Sequence, residues 1–220
     1  VYHKGSHFFG INKAIDEIKK TGKVIVMEGE FDVISSLQNG IKNAVAVKGT
    51  ALTENQAMLL SRFSNTVSLC FDDDNAGIEA IKRSVAVLEK KHLTTNVVKI
   101  GDKDPDDAIK KDVVSFKKAV GNDIGVYDFL LDKSYEVFDK TTSQGKKRIT
   151  EEMIPMLSTI DNEIVKEHYL KKLSRDLDAS FESIIREVGK MARKEPLKAK
   201  IEQEGRKRER QEVLEEYLLA

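Results

Sequence analysis

Apolar and polar residues in the first half of the chain fall into blocks that predict strands alternating with helices. The predicted strands are apolar without strict alternation, which is typical of strands buried on both faces of a parallel sheet. These runs start at Val24 or span Ala44–Val47, Val67–Phe71 and Val97–Ile100. Between them, apolar residues recur every three or four positions, as in amphipathic helices, and this spacing predicts that Phe31, Ile34 and Leu37 face a core. This order predicts an α/β fold with about four mainly parallel strands and helices on both faces.

The second half of the chain has a different pattern. Beyond Lys110 apolar residues keep helical spacing, and no strand-like run returns. The pattern predicts an α-helical bundle over residues 125–193, after an α/β subdomain over residues 1–124. The polar segment Lys140–Arg148 is interpreted as an exposed connection. Residues 194–220 are dominated by charged side chains, which predicts a solvated helix or linker.

Composition limits the possible functions. The 220 residues contain 37 Lys and Arg against 37 Asp and Glu, so net charge does not point to nucleic acid. The single cysteine, Cys70, excludes an internal disulfide and a Cys-rich zinc ribbon, and its apolar neighbours predict a buried thiol. No apolar run is long enough to cross a bilayer and no signal peptide is present, so we expect a cytoplasmic protein. Because the sequence begins at Val1 in mid-pattern, we expect a piece of a longer protein, with another domain following.

Acidic side chains follow three of the four predicted strands. They are Glu28 after the first strand, with Asp32 one helical turn later, Asp72 and Asp74 after the third, and Asp104 and Asp106 after the fourth. Because the carboxyl ends of parallel strands share one edge of a sheet, we expect Glu28 and the four later aspartates to converge. Close carboxylates repel unless a cation compensates, and oxygen-only ligands suit Mg²⁺ or Mn²⁺ rather than zinc. The alternative is that each acid only caps the helix that follows it.

These acids stand in motifs that resemble a known domain. Glu-Gly-x-x-Asp at residues 28–32 and Asp-x-Asp at residues 72–74 resemble the TOPRIM domain of primases, topoisomerases and some nucleases. Further motifs occur in the order seen in bacterial DnaG-type primases: Tyr2-His3-Lys4-Gly5, Lys48-Gly49-Thr50-Ala51-Leu52-Thr53, Phe71-Asp72-Asp73-Asp74-Asn75-Ala76-Gly77 with Arg83, and Lys103-Asp104-Pro105-Asp106. The resemblance covers residues 1–125 by specific motifs and the later helices by position and character. It implies a Rossmann-like TOPRIM half of an RNA polymerase domain, followed by its helical subdomain.

The resemblance also implies roles for individual residues. It implies a metal centre formed by Glu28, Asp32, Asp72, Asp74, Asp104 and Asp106. Glu28, Asp72 and Asp74 are the catalytic candidates, with Glu28 either a ligand or the acceptor of a proton from the attacking hydroxyl. Asp32 is expected to support this set from behind the direct ligands.

Four residues are candidates for contacts to triphosphate or template: Lys4, Lys48, Thr50 and Arg83. Phosphates attract cationic side chains, and Thr50 has a hydroxyl and a backbone N–H to offer. The alternatives are a salt bridge on its own helix for Arg83 and a simple turn for Thr50.

The family implies synthesis of short RNA primers from ribonucleoside triphosphates on single-stranded DNA, with two or more Mg²⁺ or Mn²⁺ ions and no zinc in this part. We expect the replicative helicase to be contacted through a C-terminal domain that follows, and weak or no priming by this chain alone. Glu30 and Asp73 depart from the family pattern and add negative charge beside the site. Two alternatives are another TOPRIM enzyme of the nuclease or topoisomerase type, and a non-catalytic module that recruits a helicase.

Overall fold

A computed structural model of the chain describes residue 5, residues 7–47 and residues 51–191. The charged helix or linker predicted over residues 194–220 lies outside these residues.

Five strands form one sheet in the order β2-β1-β3-β4-β5. The strands are β1 (Lys23–Met27), β2 (Ala44–Ala46), β3 (Thr66–Cys70), β4 (Thr94–Val97) and β5 (Ile124–Gly125). Strands β1 to β4 pair in parallel, and β5 is antiparallel to β4. The interior strand β1 is buried from Val24 to Met27, as a strand covered on both faces should be. The predicted α/β fold with a mainly parallel sheet is confirmed.

Helices connect and follow the strands. Within the described residues they are α1 (Ile11–Thr21), α2 (Glu30–Gln38), α3 (Glu54–Leu60), α4 (Asn75–Glu89), α5 (Pro105–Lys111), α6 (Val113–Gly121), α7 (Val126–Val137), α8 (Ser143–Ser158), α9 (Glu163–Asp176) and α10 (181–191). A capping box starts α3, where Thr53 and Gln56 each accept a hydrogen bond from the other's backbone N–H. Among these helices, none is both long and apolar enough to span a lipid bilayer.

Two strands differ from the sequence prediction. The fourth was predicted at Val97–Ile100, but β4 spans Thr94–Val97, since its pairing with β3 already begins at the polar residue Thr94. The prediction that no strand follows Lys110 is also wrong, since Ile124 and Gly125 form β5 against β4. A two-residue strand has no periodicity of its own, so only the edge of an existing sheet can define it.

The described residues form two compact units. The first contains the sheet, helices α1 to α7 and Thr159–Glu163. It therefore includes α7, which lies beyond residue 124, where the α/β subdomain was predicted to end. The second unit contains Phe138–Ser158 and the described residues from Ile164 onward.

The prediction of an exposed connection over Lys140–Arg148 is wrong from Ser143 onward, because α8 begins at that residue. Gly145 is buried there and donates its N–H to the Thr142 hydroxyl oxygen at 3.0 Å. A β-carbon on Gly145 would lie 1.8 Å from the carbonyl oxygen of Asp139, so the helix start needs glycine for close backbone contact.

Candidate metal centre

The carboxyl ends of three parallel strands bring acidic residues to one place. Glu28 follows β1, Asp72 follows β3, and Asp104 precedes α5 in the segment after β4. The backbone N–H of Asp73 donates to the carbonyl oxygen of Lys103 at 3.1 Å, which holds the last two segments together. The convergence expected from the sheet topology is thereby observed for these three acids.

An open cavity of about 410 Å³ lies at this edge. We call it the carboxylate cavity. It is lined by Glu28, Gly29, Phe31, Asp32, Asp72, Asp104 and Asp106. Asp74, the sixth predicted metal residue, does not line it. The charge of Asp74 nevertheless raises the pKa of both Glu28 and Asp72, so it lies within electrostatic reach.

Glu28 has the most unusual environment in this cavity. Burial raises the pKa of Glu28 to about 6, the nearby charge of Asp72 adds to the rise, and a backbone hydrogen bond from Asp72 partly offsets it. Within the described part of the chain, its Oε1 atom is buried and has no hydrogen-bond partner. A buried acceptor without a donor costs free energy, which indicates that this oxygen binds a proton or a ligand.

The pKa of Asp72 is raised as well. Burial is the largest cause, followed by the charges of Asp104 and Asp74, while the cation of Lys103 lowers it. The acidic neighbours of Asp72 therefore repel its charge, and the cation of Lys103 does not cancel that repulsion.

The capping interpretation is also correct for three of the acids, one of which is Asp32, whose carboxylate accepts the N–H of the residue before α2. Asp74 begins α4 and accepts the N–H of Gly77 at 2.8 Å, and Asp104 begins α5 and accepts the N–H of Asp107 at 2.8 Å. Capping and convergence are therefore compatible, because the helices that follow parallel strands begin at the same sheet edge.

Asp32 and Asp106 join α2 to α5 at the rim of the cavity. The Asp32 carboxylate accepts the N–H of Gly29 at 3.0 Å and the N–H of Asp106 at 3.2 Å. Burial still raises the pKa of Asp32 above its ordinary value, despite these two donors. By contrast, hydrogen bonds from Lys110, at 2.5 Å, and from the Ser35 hydroxyl lower the pKa of Asp106.

The cavity fits a hard divalent cation in its donor chemistry. It offers carboxylate oxygens only, one of them buried without a partner, and the pKa values of Glu28, Asp32 and Asp72 are all raised. No three acidic, histidine or cysteine side chains in the described residues already stand as a complete ligand set. The carboxylates would have to draw together around an ion.

Of the four residues predicted to contact phosphate, the structure describes one. Lys4, Lys48 and Thr50 lie outside the described residues. Arg83 is exposed on α4 and does not line the carboxylate cavity.

Sequence reasoning missed two features of this edge. Phe31 lines the cavity, although the helical pattern predicted that it would face a core. The Asp73 carboxylate, an added charge by the family pattern, pairs with Lys133 of α7 at 3.1 Å. Sixty residues separate that pair, so no local sequence signal could reveal it.

Comparisons with known proteins match both halves of the chain. Residues 25–109 match a family model described as Toprim-like, and residues 127–182 match the DnaB-helicase binding domain of primase. The DNA primase of Halalkalibacterium halodurans is 31% identical over 191 residues, which cover 85% of this chain and 32% of that protein. The chain thus spans about a third of the length of that relative.

Solved structures agree with these matches. A DNA primase domain from Pseudomonas aeruginosa superposes with a TM-score of 0.72 at 26% identity, covering 86% of this chain and 61% of that one. The zinc-binding and RNA polymerase domains of the Aquifex aeolicus primase give a TM-score of 0.69 at 28% identity, covering 84% and 45%.

Proposed function

Because this chain belongs to the family of bacterial DnaG-type DNA primases, we propose that its carboxylate cavity binds the divalent metal ions of primer synthesis. In the proposed reaction, a 3′-hydroxyl oxygen bonds to the α-phosphorus of a ribonucleoside triphosphate and pyrophosphate leaves. The template is single-stranded DNA, the product is a short RNA primer, and the setting is the bacterial cytoplasm.

One observation carries this proposal. Acids from three separate strand ends line a single cavity, and one buried oxygen of Glu28 has no partner within the described residues. Helix capping explains Asp74 and Asp104 individually, but it does not explain why Glu28 is left unsatisfied beside Asp72. A cation at this edge would account for both.

The chain's own residues would divide the work as follows. Asp72, Asp104 and Asp106 would hold Mg²⁺ or Mn²⁺, two or more ions in all, with Asp74 beside them and Asp32 fixing the rim. When bound, the ions would neutralise and position the phosphates. Glu28, with its pKa raised to about 6, would act as a ligand or accept the proton of the attacking hydroxyl. Lys4, Lys48, Thr50 and Arg83 stay candidates for triphosphate or template contacts.

The test is metal binding by calorimetry with the parent chain, Asp72→Asn and Asp104→Asn. We expect Mn²⁺ and Mg²⁺ to bind at least about tenfold more weakly to both variants, because each removes a charged oxygen ligand. Asp112→Asn is the matched control, since Asp112 caps α6 but lies outside the cavity. Equal metal affinity in all four proteins would show that Asp72 and Asp104 do not bind the metal, and would contradict the proposal.

A second role is favoured by the match over residues 127–182. This match supports recruitment of a replicative helicase through helices of the chain itself, whereas the sequence had led us to expect the contact in a domain beyond it. The two roles are compatible, because the carboxylate cavity lies outside the matched residues.

A further inference from the structure

Phe31 is exposed on the first turn of α2, with 78% of its surface open to solvent. All nine phenylalanines lie in the described part of the chain, and the other eight are buried or half-buried. An exposed phenyl ring forgoes the stabilisation that burial would bring.

Position distinguishes Phe31 from other exposed apolar residues. Single exposed apolar side chains are common and need no explanation, and Val114 is 72% exposed on α6 away from the cavity. Phe31, however, is the apolar side chain that lines the carboxylate cavity. Ile34, three positions further along the same helix, is also exposed and widens the apolar surface.

The chemistry of the cavity restricts what this ring can meet. Its other side chains are carboxylates, so a ligand that offered only negative charge would be repelled from the wall beside Phe31. A suitable ligand has a flat, uncharged face for the ring and a separate anionic part that a cation at the carboxylates can hold. Nucleotides and single-stranded nucleic acids have both parts, since every base has a π-face.

We propose that Phe31 is a stacking platform for a nucleobase, placed beside the metal centre so that the base rests on the ring while the phosphates face the carboxylates. This inference rests on the proposed function, because the ions would supply the charge that the phosphates need. The base belongs either to a nucleoside triphosphate or to a single DNA strand, and both present the same face. Phe31 is thus a binding residue next to the reacting groups.

The chain contains no tryptophan, so Phe31→Trp introduces a single tryptophan at the platform, which can be excited at a wavelength where the five tyrosines do not absorb. Its emission is followed in Mg²⁺ on addition of ATP, inorganic triphosphate, oligo(dT) or an abasic strand of equal length. We expect quenching by ATP, by oligo(dT) or by both, and little by the two ligands without bases. Val114→Trp is the control, and its emission should not change.

The ligand that quenches identifies the source of the base. Quenching by the baseless ligands to the same extent, or no quenching by any ligand in a variant that still binds Mg²⁺, would overturn the stacking role. A second measurement, on Phe31→Ala and Phe31→Tyr, uses the affinity for the quenching ligand. We expect about tenfold weaker binding for alanine and near-parent binding for tyrosine, because only tyrosine keeps the ring.

Failure of this inference can be told apart from failure of the proposed function. Calorimetry with Mg²⁺ alone reports the metal centre without reference to Phe31. If Mg²⁺ binds but no base-containing ligand quenches the tryptophan, the metal centre is supported and the stacking role of Phe31 is contradicted. If Mg²⁺ does not bind, the metal centre falls, and quenching by oligo(dT) in EDTA still decides whether the ring stacks on a base.

Discussion

The carbonyl oxygen of Asp72 lies 2.1 Å from the position that a β-carbon would occupy on Gly77. Gly77 is buried in the first turn of α4, and its own N–H donates to Asp74. The close approach presses the segment that carries Asp72 against the start of the helix. Glycine at residue 77 is therefore a requirement for the position of an acid five residues earlier.

Gly77→Ala tests this packing. We expect a loss of about 2 kcal/mol in the free energy of unfolding, because the new methyl group meets backbone and not a side chain that can move aside. Metal affinity should fall as well, since the segment with Asp72 must shift. Denaturant unfolding and calorimetry measure the two effects. Gly121→Ala is the control, because nothing lies within 4 Å of its β-carbon position, and a loss equal to that of Gly77→Ala would contradict the explanation.

Asp72→Asn and Asp123→Asn should change the stability of the metal-free protein in opposite directions. Burial raises the pKa of Asp72 and neighbouring acids raise it further, so replacing its charge relieves repulsion and, after solvent screening, stabilises the fold by about 0.5 kcal/mol. Burial also acts to raise the pKa of Asp123, but hydrogen bonds from Lys23, Ser68 and Asn96 outweigh it and lower that pKa.

Asp123 pairs with Lys23 at 2.8 Å, and its replacement should cost about 2 kcal/mol because a half-buried cation loses its partner. Thermal unfolding in EDTA measures both variants against the parent. Changes of the same sign would show that the carboxylate cavity is not electrostatically strained.

The stability of the metal-free protein should fall as pH rises toward neutrality. The raised pKa of Glu28 means that the folded state holds the proton more tightly than the unfolded chain does. This contribution is present at low pH and is lost as pH rises from the ordinary pKa of 4.5 to about 6.

We expect a decrease of about 1 kcal/mol across that range after solvent screening, measured by urea unfolding in EDTA at several pH values. Glu28→Gln cannot ionise and should flatten this part of the profile. An unchanged slope in Glu28→Gln would assign the pH dependence to other groups.

Ile164→Asp tests recruitment of the helicase. Ile164 is 81% exposed and lies within the residues that match the helicase-binding domain. A charge there should weaken binding of the replicative helicase by about tenfold if the residue lies in the contact, with no effect on Mg²⁺ affinity. Val114→Asp, at a similarly exposed position outside the match, is the control in a pull-down or interferometry assay. Equal weakening by both variants would remove the assignment to residues 127–182.

The sequence predicted the sheet and the position of the acids at its edge because the signals for both are local. Buried parallel strands are continuous apolar runs, and an acid directly after a strand must lie at the sheet edge, as Glu28 and Asp72 do. The threonines at the start of β4 and the two residues of β5 carried no such signal, because pairing with β3 and β4 defines them.

The environment of each acid could not be predicted in the same way. Whether an aspartate has a cation beside it depends on residues that are distant in sequence, as with Asp73 and Lys133 or Asp123 and Lys23. Phe31 was assigned to a core because helical spacing identifies a face and does not say what covers it.

The hydrogen bond from the Asp106 N–H to Asp32 closes a loop of 74 residues, which includes β2, β3 and β4. The acids of the carboxylate cavity therefore come together only once the parallel sheet is in register, a slow step for a chain that must close such long loops. A partly folded chain has no cavity, so an ion that binds there binds only the native state. Each binding event would then shift the folding equilibrium toward the native chain, and the cofactor would also act as a check on folding.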